Sequence, residues 1–506
     1  MRRIRPPSQE EHLDRRDFIR AAGRLGLGSL LVAEATVLAD CGGSGGSTTT
    51  PDASAPGLTN TVTRPPEIGG GTIVASVGSQ AIWSGATTPV WTLGGSSPGP
   101  TIRIGRGAGF SARIENRLSE PTNVHWHGLA SPPEMDGHPS DVIAPGQSRD
   151  IAFPIVDRAG TYWYHAHPDG RTARQVYGGM AGFFIVEDGR EAALGLPSGE
   201  YDVPLVIQDR RTSPDHSLTY APGPMDLMAG VLGDTVLVNG RPDAVLPVAA
   251  TLYRLRLLNG SNARVYRLAF ADGRSFHVIG TDSGLLERPV PVTHVELGPG
   301  ERVELLVDLT RDPVGTSMLL QSLAFTVPAG MGGGMMPGMG GGGVAQGAAL
   351  DVLRLRVERS GPAARVPATL VPYERLDHAC AEATQTFILS MGMPPVAGAF
   401  TINGRSFDPR RIDVRARRGR LELWEVRNAS SEPHPFHVHG ASFQLVSRTS
   451  GPLGPQDVGW KDTVLSWPGE TVTLAIRFEQ YAGLYVLHCH NLEHEDAGMM
   501  LNLEVS

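Results

Sequence analysis

The chain has 506 residues, of which 63 are glycine, 40 are proline and 19% are charged. This length exceeds what one hydrophobic core usually serves, so two or three domains are expected. The abundance of turn-forming residues favours a β protein over a helical one. The net charge of −8 argues against nucleic acid as a partner, because phosphate binding needs a basic surface. Three cysteines are too few for a disulfide-rich secreted scaffold.

Residues 1–41 resemble an export signal. Arg15 and Arg16 precede a weakly apolar stretch that Arg24 interrupts, so the stretch is too short and too broken to span a membrane. An arginine pair here is typical of a twin-arginine signal, although Asp14 replaces the usual serine or threonine. This predicts the twin-arginine export machinery as a partner and a periplasmic, secreted or cell-surface location. The alternative is a disordered basic tail.

Cleavage of this segment has two interpretations. The residues before Cys41 resemble a lipoprotein signal, which would attach a lipid to this cysteine and anchor the protein to a membrane. Asp40 departs from that pattern, and ordinary cleavage after Ala39 is the other possibility. A lipid on Cys41 is the only membrane contact that the sequence suggests.

The rest of the chain has the pattern of a β protein. Residues 42–70 are rich in Gly, Ser, Thr and Pro, which predicts a flexible linker. Short, partly alternating runs between Gly or Pro residues then predict strands at 72–77, 101–104, 110–114, 253–258, 303–307, 421–426 and 472–476. Strands that end in asparagine recur at Asn116, Asn259 and Asn428. They predict three related β-sandwich domains near 71–190, 200–360 and 380–506.

Ten of the 16 histidines fall in four short clusters, and each cluster contains a His-x-His pair. Residues two apart in a strand project from the same face, so each pair offers two adjacent imidazoles. Imidazole binds copper, zinc, iron and nickel, so the pairs alone do not identify the metal. The clusters are His125 and His127; His165 and His167; His434, His437 and His439; and His488, His490 and His494.

The last cluster indicates copper. Cys489 lies between His488 and His490 and therefore points to the opposite face of the strand. Together with His434 and His494 it can form a trigonal His₂Cys site, and Met499 can be a weak axial ligand. That ligand set is the blue-copper electron-transfer site. An electron could then pass through Cys489 into the two flanking histidines, which face another metal centre.

Over residues 70–506 the chain resembles the multicopper oxidases, the family of laccases and bacterial copper-efflux oxidases. The resemblance is strongest in 125–128 (HWHG), 164–167 (YHAH), 434–440 (HPFHVHG) and 488–499 (HCHNLEHEDAGM). It implies three cupredoxin domains with a copper cluster between the first and the last. It also implies a copper-dependent enzyme that oxidises a reductant one electron at a time and reduces dioxygen to water.

The resemblance further implies a role for each ligand. The type 1 copper would be held by His434, Cys489, His494 and Met499, and the type 2 copper by His125 and His437. The type 3 pair would be held by His127, His165, His167, His439, His488 and His490. Asp136 and Glu495 match the family's proton-supplying acids, because reduction of dioxygen consumes four protons. The alternatives are a turn-forming Asp136 and a solvated Glu495.

Several residues receive a structural interpretation. The other six histidines are unpaired and are expected to be structural or superficial: His12, His138, His216, His277, His294 and His378. Cys380 is expected to be a small buried hydrophobic residue near a domain linker. Residues 331–339 contain four methionines in a glycine-rich insertion. This segment is either a surface loop or a set of soft ligands for Cu(I).

Four functions compete. The first is a laccase-like oxidase of phenols, aromatic amines or other small donors, and the second is a cuprous oxidase for copper detoxification. The methionine segment favours the second, but it is shorter than in the best-known efflux oxidases. A catalytically silent cupredoxin scaffold of the cell envelope is disfavoured because every ligand is present. A copper nitrite reductase is disfavoured because eight paired imidazoles are too many.

Overall fold

The computed structural model describes residues 60–83, 86–328, 343–393 and 398–506. β-Strands dominate these residues and the helices are short, so the predicted all-β class with three cupredoxin-like sandwiches is confirmed. The predicted export signal and the methionine segment 331–339 lie outside the described residues. Among the described residues, no helix has both the length and the apolar character needed to cross a bilayer.

Residues 60–70, the end of the segment predicted as a linker, are part of the fold. They contain two short strands, β1 (Asn60–Thr61) and β2 (Glu67–Ile68). β1 pairs with residues 244–245 and β2 with residues 101–102. The Arg64 side chain also donates to the carbonyl of Gly199. Strand pairing with distant parts of the chain fixes this segment, and its own composition contains no sign of those partners.

The first sandwich consists of β2 and seven further strands in two four-stranded sheets, β4-β3-β6-β7 and β2-β5-β9-β8. Its core contains Trp126, with Phe110 and Phe184 packed edge-on against it. Burial of such apolar side chains is the main stabilising contribution to a sandwich of this kind. The strands are β3 (Gly71–Gln80), β4 (Thr88–Leu93), β5 (Thr101–Gly105), β6 (Gly109–Asn116), β7 (Ser148–Pro154), β8 (Gly160–His165) and β9 (Ala181–Glu187).

The second sandwich is the largest, with sheets in the order β1-β13-β21-β20-β15-β18 and β12-β11-β10-β14-β19-β16-β17. Its core is almost entirely aliphatic, which suits strands covered on both faces. The strands are β10 (Asp202–Arg210), β11 (Thr235–Val238), β12 (Arg241–Pro242), β13 (Ala244–Ala250), β14 (Leu252–Asn259), β15 (Tyr266–Phe270), β16 (Phe276–Thr281), β17 (Gly284–Val292), β18 (His294–Leu297), β19 (Arg302–Asp308), β20 (Ser317–Ser322) and β21 (Leu350–Ser360).

The third sandwich has two five-stranded sheets, β23-β22-β25-β29-β27 and β24-β31-β30-β26-β28. The second of these sheets places β26 beside β30, and both strands carry clustered histidines. The strands are β22 (Ala383–Met391), β23 (Phe400–Ile402), β24 (Val414–Ala416), β25 (Leu421–Asn428), β26 (His434–Val438), β27 (Phe443–Arg448), β28 (Thr463–Ser466), β29 (Thr471–Arg477), β30 (Gly483–Cys489) and β31 (Met500–Val505).

The helices lie in connections between strands. In the described parts of the chain four are α-helical: α1 (Thr172–Gly178), α2 (Gly189–Ala192), α3 (Pro224–Ala229) and α4 (Leu492–Asp496). The same parts contain four single 3₁₀ turns, at Pro133–Met135, Gly199–Tyr201, His378–Cys380 and Pro455–Asp457. The predicted strand positions at 72–77, 253–258 and 421–426 fall inside β3, β14 and β25, so these predictions are confirmed.

The three strand-ending asparagines make the same hydrogen bonds in all three sandwiches. The side-chain oxygen of Asn116 accepts from the backbone N–H two residues later, and its amide group donates to two carbonyls. Asn259 and Asn428 repeat this arrangement at the ends of β14 and β25. An amide side chain suits this position because it satisfies both donors and acceptors of a turning backbone.

Candidate metal centre

Strand pairing brings the four histidine clusters together. His125 and His165 face each other across an isolated antiparallel bridge in the first sandwich. In the third sandwich β26 and β30 are in a register that sets His437 opposite His488. All ten clustered histidines are at most 1% exposed. Four clusters from distant parts of the sequence, between His125 and His494, therefore share one buried region.

The first group in this region is a triangle of three donor atoms. Cys489 Sγ lies 3.2 Å from His434 Nδ1 and 3.6 Å from His494 Nδ1, and the two nitrogens are 3.1 Å apart. Ligands about 2.0–2.3 Å from one metal in a trigonal plane would be about 3.5–4 Å apart. The triangle is therefore close to the size that one metal ion requires. Met499, the expected axial ligand, is fully buried in the core beside Cys489.

The outer nitrogens of both rings in this triangle have fixed partners. His434 Nε2 lies 2.7 Å from Ser430 Oγ, and His494 Nε2 donates to the Met228 carbonyl at 2.8 Å. Each ring therefore turns Nδ1 towards Cys489 Sγ. Burial raises the pKa of the Cys489 thiol well above its ordinary value, so a thiolate at this position needs a bound cation. One thiolate with two imidazoles is the donor set that copper prefers.

The second group is made of the remaining eight histidines. His488 Nε2 lies 3.2 Å from both His167 Nε2 and His439 Nε2, and His125 Nε2 lies 3.4 Å from His437 Nε2. Ligand atoms converge within 4.8 Å in three all-histidine triplets: His125, His437 and His439; His125, His127 and His165; and His167, His439 and His488. His490 joins this group by ring contacts with His127 and His165.

Hydrogen bonds on the outer side orient most of these rings. Five of them have Nδ1 next to an oxygen acceptor, so that Nε2 faces the other histidines: His125 with Asp136 O, His165 with Ala166 O, His437 with Asp462 O, His439 with Asp136 Oδ2, and His488 with Cys489 O. Metal-binding histidines usually have such a partner on the second nitrogen. Rings held in this way present a fixed lone pair to a metal.

The ring electrostatics fit a metal as well. Burial lowers the pKa of His125, His437 and His439 well below the ordinary value, and nearby imidazoles lower it further. The rings are therefore neutral, which is the form that binds metals. Several of their nitrogens are buried without a hydrogen-bond partner among the described residues, namely His127 Nδ1, His165 Nε2 and both nitrogens of His490. Metal coordination would satisfy such atoms, and the donor set fits copper.

The two predicted acids both contact this group. Asp136 Oδ2 accepts from His439 Nδ1 at 2.7 Å, and its Oδ1 accepts from Ser131 Oγ at 2.7 Å. Burial raises the pKa of Asp136 to about 7, against the hydrogen bond from Ser131. Glu495 Oε2 lies 3.2 Å from His488 Nδ1. Burial opposes ionisation of Glu495, but its neighbours His167 and His488 lower its pKa overall.

Sequence reasoning missed Asp462. Its Oδ1 lies 3.0 Å from His127 Nε2, its carbonyl accepts from His437 Nδ1 at 2.8 Å, and it is fully buried. The local signal was an acid next to Lys461, the only lysine of the chain. A single adjacent pair of opposite charges is too common to mark a site.

The unpaired histidines that the structure describes lie outside the metal-binding groups, whereas Cys380 is not buried as expected. His138, His216, His277, His294 and His378 form none of these groups, and His12 lies outside the described residues. Cys380, expected to be buried, is exposed in a 3₁₀ turn with Sγ 3.2 Å from Asp377 Oδ2. That prediction was wrong because the turn lies at the protein surface before β22, where no core is available to a small side chain.

The fold and the donor atoms define a copper protein built from cupredoxin-like sandwiches, and comparison with known proteins agrees. Multicopper oxidase family models match residues 77–191, 215–332 and 377–506. The chain therefore belongs to the multicopper oxidase family. Its members couple oxidation of a reductant to reduction of dioxygen, so this chain is a copper-dependent oxidoreductase.

Individual relatives cover most of the chain. The multicopper oxidase mco of Staphylococcus aureus is 31% identical over 86% of this chain and 88% of its own length. The cell division protein FtsP of Salmonella typhimurium is 36% identical over 79% of this chain and 82% of its own. The crystal structure of the McoA multicopper oxidase of Aquifex aeolicus matches with a TM-score of 0.80 at 34% identity, over 88% of this chain and 99% of that one.

Proposed function

We propose that the protein binds four copper ions and acts as a laccase-like oxidase of small reductants such as phenols and aromatic amines. His434, Cys489, His494 and Met499 hold a type 1 copper. A type 2 copper is held by His125 and His437. A type 3 pair is held by His127, His165, His167, His439, His488 and His490. The three sandwiches correspond to domains near 71–190, 200–360 and 380–506.

One observation carries this proposal. Cys489 Sγ points into the His434–His494 triangle, while its neighbour His488 points into the eight-histidine group. A chain segment of three residues thus joins two different metal-binding groups. A mononuclear copper protein would have no use for the second group, and a metal site without redox function would have no use for this connection.

Bound copper supplies one-electron redox chemistry, by which four electrons from a reductant reduce one dioxygen to two waters. The protein contributes a short covalent connection, since one peptide unit separates Cys489 from His488 and another separates it from His490. It also excludes water, because every proposed ligand is at most 1% exposed. Asp136 and Glu495 are the acids in position to deliver protons, as both contact cluster histidines.

The axial methionine gives a direct prediction. Replacing Met499 by leucine removes a weak axial donor, which stabilises Cu(II) more than Cu(I), and preserves the volume of a fully buried side chain. We expect the variant to keep its type 1 copper and to have a higher reduction potential, measured by redox titration of the blue absorption. Met500→Leu is the control, and an unchanged potential in Met499→Leu would assign the axial position to another group.

A cuprous oxidase is the second candidate, and the surroundings of the methionine segment favour it. On one side of segment 331–339, Val344 N donates to Gly233 O at 3.0 Å. Gly233 follows Met228 closely in the chain, and the Met228 carbonyl accepts from His494. On the other side, Phe325 packs on Trp467, the neighbour of Ser466, which pairs with His434. On both sides of the segment, the described residues therefore contact chain stretches that also contain a partner of His434 or His494.

Deletion of residues 331–339 separates the two candidates. If the methionines bind Cu(I), we expect the deletion to lower kcat/KM for Cu(I) by at least tenfold and to leave phenol oxidation unchanged. Steady-state oxygen uptake with each reductant measures this. Equal loss for both reductants, or no loss for Cu(I), would remove the cuprous specialisation and leave the laccase-like function.

We further propose export by the twin-arginine machinery through residues 1–41, to the periplasm or cell surface, with lipid attachment at Cys41 as the alternative to cleavage after Ala39. The support is Arg15 and Arg16 followed by a weakly apolar stretch. Arg15→Lys/Arg16→Lys should leave the protein in the cytoplasm, as fractionation would show. A non-catalytic envelope scaffold is disfavoured because donor atoms of nine clustered histidines and of Cys489 converge in metal-sized groups.

A further inference from the structure

The second sandwich supplies no histidine to the metal centre, yet one of its arginines reaches it. Arg302, at the start of β19, is fully buried. Its guanidinium donates to Asp462 through Nη1 at 2.7 Å and Nη2 at 2.5 Å. Three further bonds go to the carbonyls of Thr161, Asp282 and Gly300. All five guanidinium N–H donors thus have an acceptor, and the residues bonded come from all three sandwiches.

Asp462 in turn determines which ring nitrogen of His127 carries the proton. Its Oδ1 accepts from Arg302 and from Thr463 Oγ1, and it lies 3.0 Å from His127 Nε2. A carboxylate paired with arginine can only accept hydrogen bonds. The proton of neutral His127 is therefore on Nε2, which leaves the lone pair on Nδ1. That Nδ1 is buried, and no residue that the structure describes forms a hydrogen bond with it.

The same network holds the backbone of this region. The Asp282 carboxylate accepts from the backbone N–H of Arg302 at 2.8 Å and pairs with Lys461 Nζ at 3.0 Å. Lys461 also pairs with Glu301 at 3.2 Å. Lys461, the residue before Asp462, is therefore held by two acids of the second sandwich.

Gly128, next to His127, indicates how tightly the network is packed. A Cβ at this position would lie 2.3 Å from Asp462 Oδ2 and 2.8 Å from Arg302 Nη2. The backbone φ of +87° also favours glycine. Only a glycine lets the carboxylate–guanidinium pair approach the chain that carries His127.

We infer that Arg302 is a positioning residue for the eight-histidine site: acting through Asp462, it fixes His127 with its Nδ1 lone pair towards the metal. The second sandwich thus contributes to the cluster without supplying a ligand. This inference rests on the proposed copper cluster. Replacing Arg302 by lysine keeps the charge but removes the bidentate hydrogen bonding to Asp462. Ser283 and Thr463 still donate to this carboxylate, so Asp462 and His127 are held less firmly rather than released.

The test is a chelator titration of copper-loaded, full-length protein, with copper per chain measured and the blue type 1 absorption recorded on the same sample. In Arg302→Lys we expect cluster copper to be lost at about 10–100-fold lower chelator concentration than in the wild type. The blue absorption should persist, because Arg302 has no contact with that site. Asp462→Asn should also lose cluster copper and keep the blue absorption. If Arg302→Lys does not fold, Asp462→Asn is used in its place.

Arg448→Lys is the matched control. Arg448 is 8% exposed at its side chain and is held by Asp457 and Glu470, but has no contact with a cluster histidine. The Arg448→Lys variant should lower the unfolding temperature of the copper-free protein, as Arg302→Lys does, but should not lose cluster copper. The inference is overturned if Arg302→Lys holds cluster copper as tightly as the wild type, or if both sites lose copper together. A wild type with only one copper would overturn the cluster itself.

Discussion

Cys489→Ser is expected to abolish the intense blue absorption and to reduce oxygen uptake to the level of the copper-free protein. The thiolate is the atom shared by the mononuclear site and the connection to His488 and His490, so its loss removes both. A serine hydroxyl is a hard, poorly ionised donor that does not replace a thiolate on copper. Visible absorption and oxygen consumption with a phenol measure the two effects.

Cys380→Ser is the natural control, because it makes the same chemical change at an exposed cysteine outside the metal centre. It should keep full colour and full turnover. Retained blue absorption in Cys489→Ser would show that another sulfur binds the copper and would overturn the assignment. Copper content of both variants separates loss of the metal from loss of electron transfer.

Asp136→Asn is expected to lower turnover with dioxygen by about 10²–10⁴-fold, the usual contribution of a positioned proton donor. The amide oxygen can still accept from His439 Nδ1, and the amide NH2 can donate to Ser131 Oγ, so the copper content should be unchanged. The amide cannot release a proton to the reaction. Oxygen uptake at saturating reductant, together with copper per chain, measures both expectations.

Asp141→Asn is the matched control, since Asp141 lies five residues away and pairs with Arg149 at the surface. Its turnover should be that of the wild type. Normal oxygen uptake in Asp136→Asn would remove Asp136 from the proton path and leave Glu495 as the remaining acid. Loss of copper in Asp136→Asn would instead mean that its bond to His439 is structural.

The proposed ligands could be predicted from sequence because their spacing is local. A His-x-His pair in a strand fixes two side chains on one face, and Cys489 between two histidines fixes the third direction. The three strand-ending asparagines could also be recognised in the sequence, since the oxygen of each accepts from the backbone N–H two residues later. Short-range periodicity carried both signals.

What the sequence did not reveal depends on long-range contacts. Arg302 and Asp462 are 160 residues apart, and the function of each is evident only when the other is in place. β1 and β2 were assigned to a linker because their pairing partners are distant. Cys380 was expected to be buried on the general tendency of free cysteine, and its local turn placed it at the surface.

The central claim is that a mononuclear copper and a three-copper cluster are joined through Cys489. Its most direct test is to measure copper per chain in purified, copper-loaded protein together with the electrons consumed per dioxygen. We expect four copper ions per chain and four electrons per dioxygen, with water as the product. One copper per chain, or no oxygen uptake with either phenols or Cu(I), would contradict the account.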